Sequence, residues 1–403
     1  MNPCTQTTQP ARTSPGSPHE QALLSARPVH AHALAWSTLM LLIACLLAAA
    51  LAACLVLATG TDAAYAAGKP AKVTNVKATS KSYRAIKVSW KKVSGAKKYV
   101  VYRSKKKGGT YKKVGTSKSA SFKDTGCTTG KTYYYKVRAY NGSYGAYSAA
   151  ASARAVCAKT SSMKATAGDA KITVKWSKVA GASGYKVYRS TTKNGTYSLV
   201  KAVKGGSTVK WANSGLTVGK RYYYKVRAYR TVSGAAVNGK VSAATSAYAN
   251  GYLDVTEAYE LLNELRTTES IWYWNADNSA KIYFNADGCT TLSELACSSE
   301  LESTAKTRAK ELATLNSHTR PDGTLCFTAF PDNIWTGGEN IAAGYNTCAS
   351  VINGWAETNC DYSDQGHRRN MLSEDFTSVG IACYVSNGYK YWAMDLAAFE
   401  DED

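Results

Sequence analysis

Acidic residues are scarce over almost half of the chain. Between Lys69 and Asn250 there are 39 lysines and arginines but two acids, Asp124 and Asp169. Residues 251–403, in contrast, hold 24 acids and 9 basic side chains. The formal net charge of +22 over 403 residues therefore conceals two regions of opposite sign. This division excludes a uniformly basic nucleic-acid-binding protein, and no specific nucleic-acid partner is expected. The length allows roughly two to four domains.

Long apolar runs are also missing, with one exception near the N-terminus. The segment Ala33–Thr59 carries no charge, and Ala64-Tyr65-Ala66 after it fits a secretory cleavage site. A cleaved export signal is the first expectation, while a retained membrane anchor and lipidation at Cys54 stay open. Residues 1–66 are thus assigned to an export signal or anchor, and the rest of the chain is expected to be extracellular or on the cell surface.

The sequence contains no Cys-x-x-Cys pair, which disfavours a zinc site built from cysteines. Eleven cysteines are present, and the eight that follow the export segment are an even number, which in an exported chain indicates disulfide bonds.

Two segments of similar sequence follow the export region. Trp90–Ser104 recurs as Trp176–Ser190, and Gly130–Tyr140 recurs as Gly219–Tyr229. Apolar and polar residues alternate along both copies, which predicts strands with one buried face and therefore an all-β sandwich in each repeat.

These repeats resemble fibronectin type III domains. Each has a core tryptophan on its second strand and a Thr-Gly-Lys or Val-Gly-Lys corner before a penultimate strand, where Tyr133 and Tyr222 correspond to the corner tyrosines. The resemblance implies two such domains, residues 69–158 and 159–249, and implies a role as spacers that present other domains.

Lysines cluster near a predicted hairpin of the first repeat, at Lys105-Lys106-Lys107 and Lys112-Lys113. One interpretation is a binding surface for an anionic cell-envelope polymer. The other is a solvated strand face, which accounts for most lysines because outward strand positions must be polar.

A disulfide is predicted in the first repeat. Cys127 aligns with Leu216 of the second repeat, a position expected to be buried, and we expect Cys127 to form a disulfide with Cys157.

The C-terminal region predicts an α+β domain. Helical spacing and paired strands are found in the following segments: helices at 257–266, 298–313, 351–356 and 366–372, and strands at 379–384 and 389–395 joined by Ser386-Asn387-Gly388.

Five motifs occur in order along this region: Leu262-Asn-Glu-Leu-Arg266, Ser317-His-Thr-Arg-Pro-Asp-Gly323, Gly338-Glu-Asn-Ile-Ala342, Gly366-His-Arg-Arg-Asn-Met-Leu372 and Phe376-Thr-Ser-Val-Gly-Ile381. They resemble the CAP superfamily of cysteine-rich secretory, antigen 5 and pathogenesis-related 1 proteins, in its bacterial branch. The resemblance spans residues 254–399 and implies an α-β-α sandwich with a central groove.

The resemblance further implies that two histidines and two acids line the groove and often hold a divalent metal. Here His318, His367 and Glu339 correspond to three of these residues, and zinc is the metal expected. The second acid normally lies three residues after the helix tryptophan, but Thr358 holds that position. Glu357 is therefore taken as the groove acid, with Asp361 and Asp364 as further candidates.

The histidine content supports the same pair without any resemblance. Three of the five histidines precede the apolar run, so export would leave His318 and His367. Two imidazoles and a carboxylate could hold zinc with an open position. The alternative is that these polar groups hydrogen-bond loops to one another. We expect the two histidines to face each other across the groove, with Glu339 within reach of one.

Two functions are consistent with this sequence. The preferred one is a secreted or surface protein that binds a lipid, glycan or protein ligand in a groove lined by His318, Glu339, Glu357 and His367. The alternative is a metal-dependent hydrolase, for example a protease, with Glu339 as base. A third, weaker hypothesis is adhesion through the basic repeats. The charge division also predicts that the acidic domain docks against the basic sandwiches and that added salt weakens this docking.

Overall fold

The computed structural model describes residues 68–400. The apolar run Ala33–Thr59, with the predicted export signal or anchor, lies outside these residues, so export stays a prediction. Within the described part of the chain, no helix is long and apolar enough to cross a membrane.

The first repeat folds as two packed antiparallel sheets. Its strands are β1 (Lys77–Ser82), β2 (Ala85–Ser89), β3 (Lys98–Ser104), β4 (Lys112–Ser117), β5 (Ser121–Asp124), β6 (Thr132–Tyr140) and β7 (Ala151–Arg154). One sheet has the order β1-β2-β5 and the other β4-β3-β6-β7. Strand β6 alternates between buried and half-exposed residues along its length, which is the pattern that one solvated face requires.

The second repeat has the same plan with one added strand. Its strands are β8 (Lys164–Gly168), β9 (Lys171–Lys175), β10 (Gly184–Ser190), β11 (Ser198–Lys204), β12 (Lys210–Ser214), β13 (Arg221–Val232), β14 (Ala235–Val241) and β15 (Thr245–Tyr248). Its sheets are β12-β9-β8 and β11-β10-β13-β14, with β15 also on β13. The all-β prediction for both repeats is confirmed.

The corner tyrosines fix the loop before each penultimate strand. The hydroxyl of Tyr133 accepts a hydrogen bond from the backbone N–H of Thr128 at 3.0 Å. In the second repeat Tyr222 accepts one from Thr217 at 3.2 Å. Because both rings are buried in their cores, each hydroxyl satisfies a backbone donor that would otherwise lack a partner.

The expected Cys127–Cys157 disulfide is not formed. Both residues are free thiols, as are the other six cysteines among the described residues. Cys127 packs in the core of the first sandwich, whereas Cys157 packs in that of the second. The prediction was wrong because the core of the first sandwich ends at Ala155, two residues before Cys157, although residues 69–158 had been assigned to that sandwich.

The C-terminal domain combines four α-helices with a mixed sheet. Its elements are β16 (Gly251–Tyr252), α1 (Thr256–Thr267), β17 (Ile271–Trp274), β18 (Lys281–Phe284), β19 (Ala296–Cys297), α2 (Ser299–Leu312), β20 (Ile334–Ala343), α3 (Cys348–Trp355), α4 (Gly366–Leu372), β21 (Ser378–Ser386) and β22 (Tyr389–Phe399), with short 3-10 turns at Cys326–Ala329 and Tyr362–Asp364. The main sheet has the order β16-β21-β22-β20, with β19 parallel to β21.

Helices cover both faces of this sheet. Residues of α1 and α3 share a core with Val379, Ile381 and Cys383 of β21. The alternate residue Ala382 packs instead against α2. Since successive strand residues point to opposite faces, α2 lies on one side and α1 and α3 on the other. The α-β-α sandwich is thus confirmed. Helix α2 lies so close to β21 that a Cβ on Gly380 would come within 2.0 Å of the helix backbone.

The second sandwich contacts the C-terminal domain through a polar junction. Asp169 accepts hydrogen bonds from the Tyr384 hydroxyl at 2.8 Å and from Lys310 Nζ at 3.1 Å. The backbone N–H of Asn387 donates to the side chain of Asn250 at 3.0 Å. In the ion pair of Asp169 and Lys310 the acid comes from the basic sandwich and the lysine comes from the acidic domain. The signs of the two charges are therefore opposite to the net charges of the domains that carry them. Salt-weakened docking of the two stays a prediction.

Candidate functional site

The four residues singled out in the sequence line one cavity. This open cavity has a volume of about 560 Å³. Its lining residues are His318, Glu339, Glu357, Ser363, Asp364, Gly366, His367, Arg369 and Asn370. They come from the loop after α2, from β20, from the segment after α3 and from α4, so four separate stretches of sequence converge here.

His318 lies in the turn that follows α2. Its backbone carbonyl accepts a hydrogen bond from the N–H of Cys326 at 2.8 Å, which closes the loop. Its ring nitrogen Nδ1 is 2.7 Å from Glu339 Oε2. The imidazole remains 53% exposed, so the ring is held at one edge and reaches the cavity with the other.

Glu339 is held on the central strand β20 by a buried arginine. Arg308 of α2, which is fully buried, donates to Glu339 Oε1 through Nε at 2.6 Å and to Oε2 through a second nitrogen at 3.3 Å. Burial of Glu339 opposes its ionisation, but the hydrogen bonds from His318 and Arg308 outweigh it and lower the pKa of the carboxyl. Glu339 is thus an ionised, fully engaged carboxylate.

The roles of metal ligand and base that the sequence suggested for Glu339 stay predictions, and its surroundings bear on both. Both oxygens already accept hydrogen bonds, and the carboxylate is almost wholly buried. A general base needs a free lone pair and a pKa near the working pH, and the pKa of Glu339 is shifted the other way. Glu339 orients His318.

Glu357 does the same for His367. Its Oε1 accepts a hydrogen bond from His367 Nδ1, and its Oε2 accepts from the backbone N–H groups of His367 and Arg368 at 3.1 and 3.2 Å. Helix α3 ends at Trp355, and Glu357 has a φ of +43°. That left-handed turn redirects the side chain, so the acid reaches the cavity although it comes one residue early. Thr358, at the family position, is exposed.

Two asparagines tie the site motifs together. Asn340 on β20 donates its amide to the carbonyl of His367 at 2.9 Å. Asn370 on α4 donates to the side-chain oxygen of Asn340 at 2.8 Å. The strand that carries Glu339 therefore also fixes the backbone that carries His367. Gly366, directly before His367, has open space where a side chain would stand.

Each histidine has one engaged and one free ring nitrogen. A carboxylate can only accept a hydrogen bond, so the proton of each neutral imidazole is assigned to Nδ1. Neither Nε2 has a hydrogen-bond partner among residues 68–400. Metal-binding histidines are typically held in this way by a carboxylate on the opposite nitrogen. Each imidazole thus has the donor chemistry that a divalent metal ion takes.

Cys326 lies beside this network and was not singled out in the sequence. Its sulfur, His318 and Glu339 offer atoms within 4.8 Å of one another, a group of which His367 is not part. Burial, together with the nearby Glu339 carboxylate, raises the pKa of the Cys326 thiol to about 12. Because electrophiles react with the thiolate, this buried thiol is a poor nucleophile.

The remaining acid candidates separate. Asp364 lines the cavity, whereas Asp361 is exposed, lies outside the lining and begins the short turn before it.

Arg308, the buried partner of Glu339, was not singled out in the sequence. A signal was present, because Arg308 falls on the stripe of α2 formed by Leu301, Ala305 and Leu312, where a charged residue demands a buried partner.

A second buried acid lies behind the site. Asp395 on β22 pairs in register with Glu339 and is completely buried, and neither carboxyl oxygen has a hydrogen-bond partner among the described residues. Burial and the charge of Glu339 raise its pKa well above the ordinary value, although Arg308 opposes this. The surroundings of Asp395 therefore favour its protonated form.

Comparison with known proteins identifies two of the domains. Residues 259–396 match the model of the cysteine-rich secretory protein family, CAP, and residues 71–154 match that of the fibronectin type III domain. The C-terminal domain is a CAP domain preceded by a fibronectin type III domain, as the sequence motifs predicted. This combination supports a multidomain protein of the extracellular type.

Similar proteins share parts of the chain. Exoglucanase B of Cellulomonas fimi is 27% identical over 289 residues, which are 60% of this chain and 26% of that protein. Amylopullulanase of Thermoanaerobacterium saccharolyticum is 35% identical over 68 residues, 17% and 5% of the two chains. The chain thus spans about a quarter or less of the length of these curated relatives.

Among solved structures, an Fn3-like protein from Clostridium thermocellum is 38% identical, with a TM-score of 0.20, and the match covers 21% of this chain and 92% of that one. A two-domain fibronectin type III segment of chicken tenascin is 16% identical, with a TM-score of 0.25, covering 42% and 97%.

Proposed function

We propose that this CAP-domain protein is exported and binds an extracellular ligand in the cavity between His318 and His367, while its sandwiches act as spacers from the cell envelope. The ligand class is a lipid, a glycan or a protein segment. The observation that carries the proposal is that each imidazole is fixed at Nδ1 by a buried or half-buried carboxylate. Fixing two exposed rings in this way serves recognition, because orientation is set before the ligand arrives.

A divalent metal ion, zinc first, is the inorganic ligand that this donor set fits. His318 and His367 would hold it through Nε2, and Glu339 and Glu357 would orient the two rings. When bound, such an ion would supply a Lewis acid. The chain's own contribution is to direct the Nδ1 proton of each ring to a carboxylate, which leaves Nε2 as the nitrogen that faces a ligand.

Binding is favoured over hydrolysis because neither of the two acids that contact the histidines is placed to act as a base. Glu339 is neutralised by Arg308, and Glu357 accepts two backbone hydrogen bonds in addition to that of His367. Neither acid has the environment of a carboxylate poised to take a proton from water.

The test uses the full chain and two variants. Zinc binding is measured by isothermal titration for the native protein, for the double variant His318→Ala/His367→Ala, and for Ser363→Ala as a control in the same cavity. We expect about one zinc per native chain and per control chain, and none in the double variant. Equal zinc binding by the double variant contradicts the metal proposal.

The organic ligand is tested separately. Native protein and double variant are incubated with a lipid and glycan extract of bacterial envelopes, washed, and analysed by mass spectrometry. We expect a molecule that the native protein and Ser363→Ala retain and the double variant does not. If all three retain the same molecules in equal amounts, the cavity is structural scaffolding and the proposed function is wrong.

A further inference from the structure

The penultimate strand of each sandwich carries the same row of outward side chains. The row on β6 is Tyr134, Lys136, Arg138 and Tyr140, and the row on β13 is Tyr223, Lys225, Arg227 and Tyr229. All eight are half-exposed, and the residues between them are buried in the cores. We call these two rows, with the tyrosines that pack on them, the tyrosine–cation faces.

The lysine of each face is held over a tyrosine ring by the same construction. Lys136 Nζ lies 4.6 Å from the centre of the Tyr111 ring, and Lys225 Nζ lies 3.9 Å from that of Tyr197. Each ring is fixed in turn, because its hydroxyl donates to a loop carbonyl: Tyr111 at 2.8 Å and Tyr197 at 2.9 Å. Cation–π contacts of this kind restrain a lysine that would otherwise move freely.

The arginines are restrained as well. Arg138 stacks on Tyr144 and Tyr147, at 4.7 and 4.6 Å from the ring centres, and its Nε donates to the carbonyl of Gly145 at 2.8 Å. Arg227 lies 5.7 Å from the ring centre of Tyr188. The faces thus present four cations whose positions are set by the fold.

No acid neutralises these cations. Within the described part of the chain, none of the four forms a salt bridge. The single acid of each sandwich is engaged elsewhere, Asp124 by Arg103 and Asp169 by Tyr384 and Lys310. A positive surface with restrained side chains and no internal counter-charge attracts polyanions strongly and loses little side-chain entropy on binding them.

A solvated strand face alone does not account for this arrangement. The lysine cluster noted in the sequence is not shared, because Lys105, Lys106 and Lys112 of the first repeat correspond to Thr191, Thr192 and Ser198 of the second. The tyrosine-supported lysine is present in both. The two repeats therefore differ in the lysine cluster of their hairpins but share the lysine that packs on a tyrosine ring.

We propose that the tyrosine–cation faces bind a linear anionic polymer that carries a phosphate or a carboxylate on each repeat unit. A nucleic acid fits less well, because bases bind such proteins by stacking on free aromatic faces. Here the supporting rings, Tyr111, Tyr144, Tyr147 and Tyr197, are already covered by cations. The proposal concerns the sandwiches and does not depend on the histidine cavity.

The test measures binding of the full chain to immobilised poly(glycerol phosphate), polygalacturonate, neutral dextran and single-stranded DNA. One variant carries Lys136→Gln, Arg138→Gln, Lys225→Gln and Arg227→Gln. The matched control carries Lys87→Gln, Lys123→Gln, Lys171→Gln and Lys175→Gln, four exposed lysines on the opposite sheets. Thermal melts of both variants, and the milder pair Lys136→Gln/Lys225→Gln, guard against a loss caused by unfolding.

We expect the native chain to bind one or both anionic polymers and not dextran, and which polymer it prefers identifies phosphate or carboxylate as the recognised group. The face variant should lose about tenfold or more in affinity at 0.1 M salt, with a shallower salt dependence, and the control less than about threefold. Equal losses in both variants, or tighter binding of DNA than of either polymer, would overturn the proposal.

Discussion

Glu357 and His367 form a hydrogen-bonded pair although the spacing of the sequence argues against it. The family position for the acid is Thr358, one residue later. Helix α3 stops at Trp355, and the left-handed conformation of Glu357 turns its side chain toward the N-terminus of α4. The pair is therefore produced by a local break in the backbone that no periodicity reveals.

Removing this acid should weaken both the fold and the site. In Glu357→Ala, the backbone N–H groups of His367 and Arg368 and the His367 ring lose their acceptor. We expect a loss of about 1–3 kcal/mol in the free energy of unfolding, measured by urea denaturation, and weaker zinc binding. Thr358→Ala is the control and should change neither quantity. Matching effects in the two variants would show that the acid has no special role.

Substitutions of Glu339 and His318 should affect different properties, the first mainly stability and the second mainly zinc binding. In Glu339→Gln the fully buried Arg308 loses its main counter-charge, so we expect a loss of about 3–5 kcal/mol in unfolding free energy. In His318→Ala the ring removed is half-exposed, so the loss should stay within about 1 kcal/mol while zinc binding disappears. If His318→Ala destabilises as much as Glu339→Gln, the histidine is a structural residue.

Asp395 gives a prediction with a definite pH dependence. Its pKa is raised in the folded protein, so the folded state keeps a proton that the unfolded state releases above about pH 4. This costs stability as the pH rises. Asp395→Asn removes the cost, so its melting temperature relative to the native protein should be higher at pH 7 than at pH 4. A difference that is constant over this range is the contrary result.

The cysteines should react according to burial. Cys289 and Cys297 are exposed free thiols, whereas Cys127, Cys157 and Cys383 are buried. Brief iodoacetamide treatment of the folded chain should modify the first two, and the buried three should react after unfolding in guanidinium. Peptide mapping by mass spectrometry checks both steps. A peptide that links Cys127 to Cys157 would contradict the packing of these residues in separate cores.

Sequence patterns predicted the fold well where local rules decide it. The turn Ser386-Asn387-Gly388 is one example, since Asn387 and Gly388 have φ values of +54° and +87°, as a tight hairpin turn requires. The corner tyrosines are another, because each bonds a backbone group five residues away. Helix α4 was predicted with the bounds that the structure shows.

Long-range pairing explains what was missed. Strand β20 contains Gly337 and Gly338, which carry no side-chain pattern, and it is a strand because it pairs with β22. Arg308 and Glu339 are 31 residues apart, so their bond becomes visible once helix and strand are packed. Cys157 was misplaced because the repeat alignment does not define where one core ends and the next begins.

The central claim is that His318 and His367 each keep Nδ1 protonated against a carboxylate and leave Nε2 free to bind a ligand. Long-range ¹H–¹⁵N NMR of the uniformly ¹⁵N-labelled chain measures this directly, with each ring assigned through its His→Ala variant. We predict the Nδ1–H tautomer for both rings, and a shift of both Nε2 resonances when zinc is added. An Nε2–H tautomer at either histidine, or Nε2 resonances unmoved by zinc, would contradict the account.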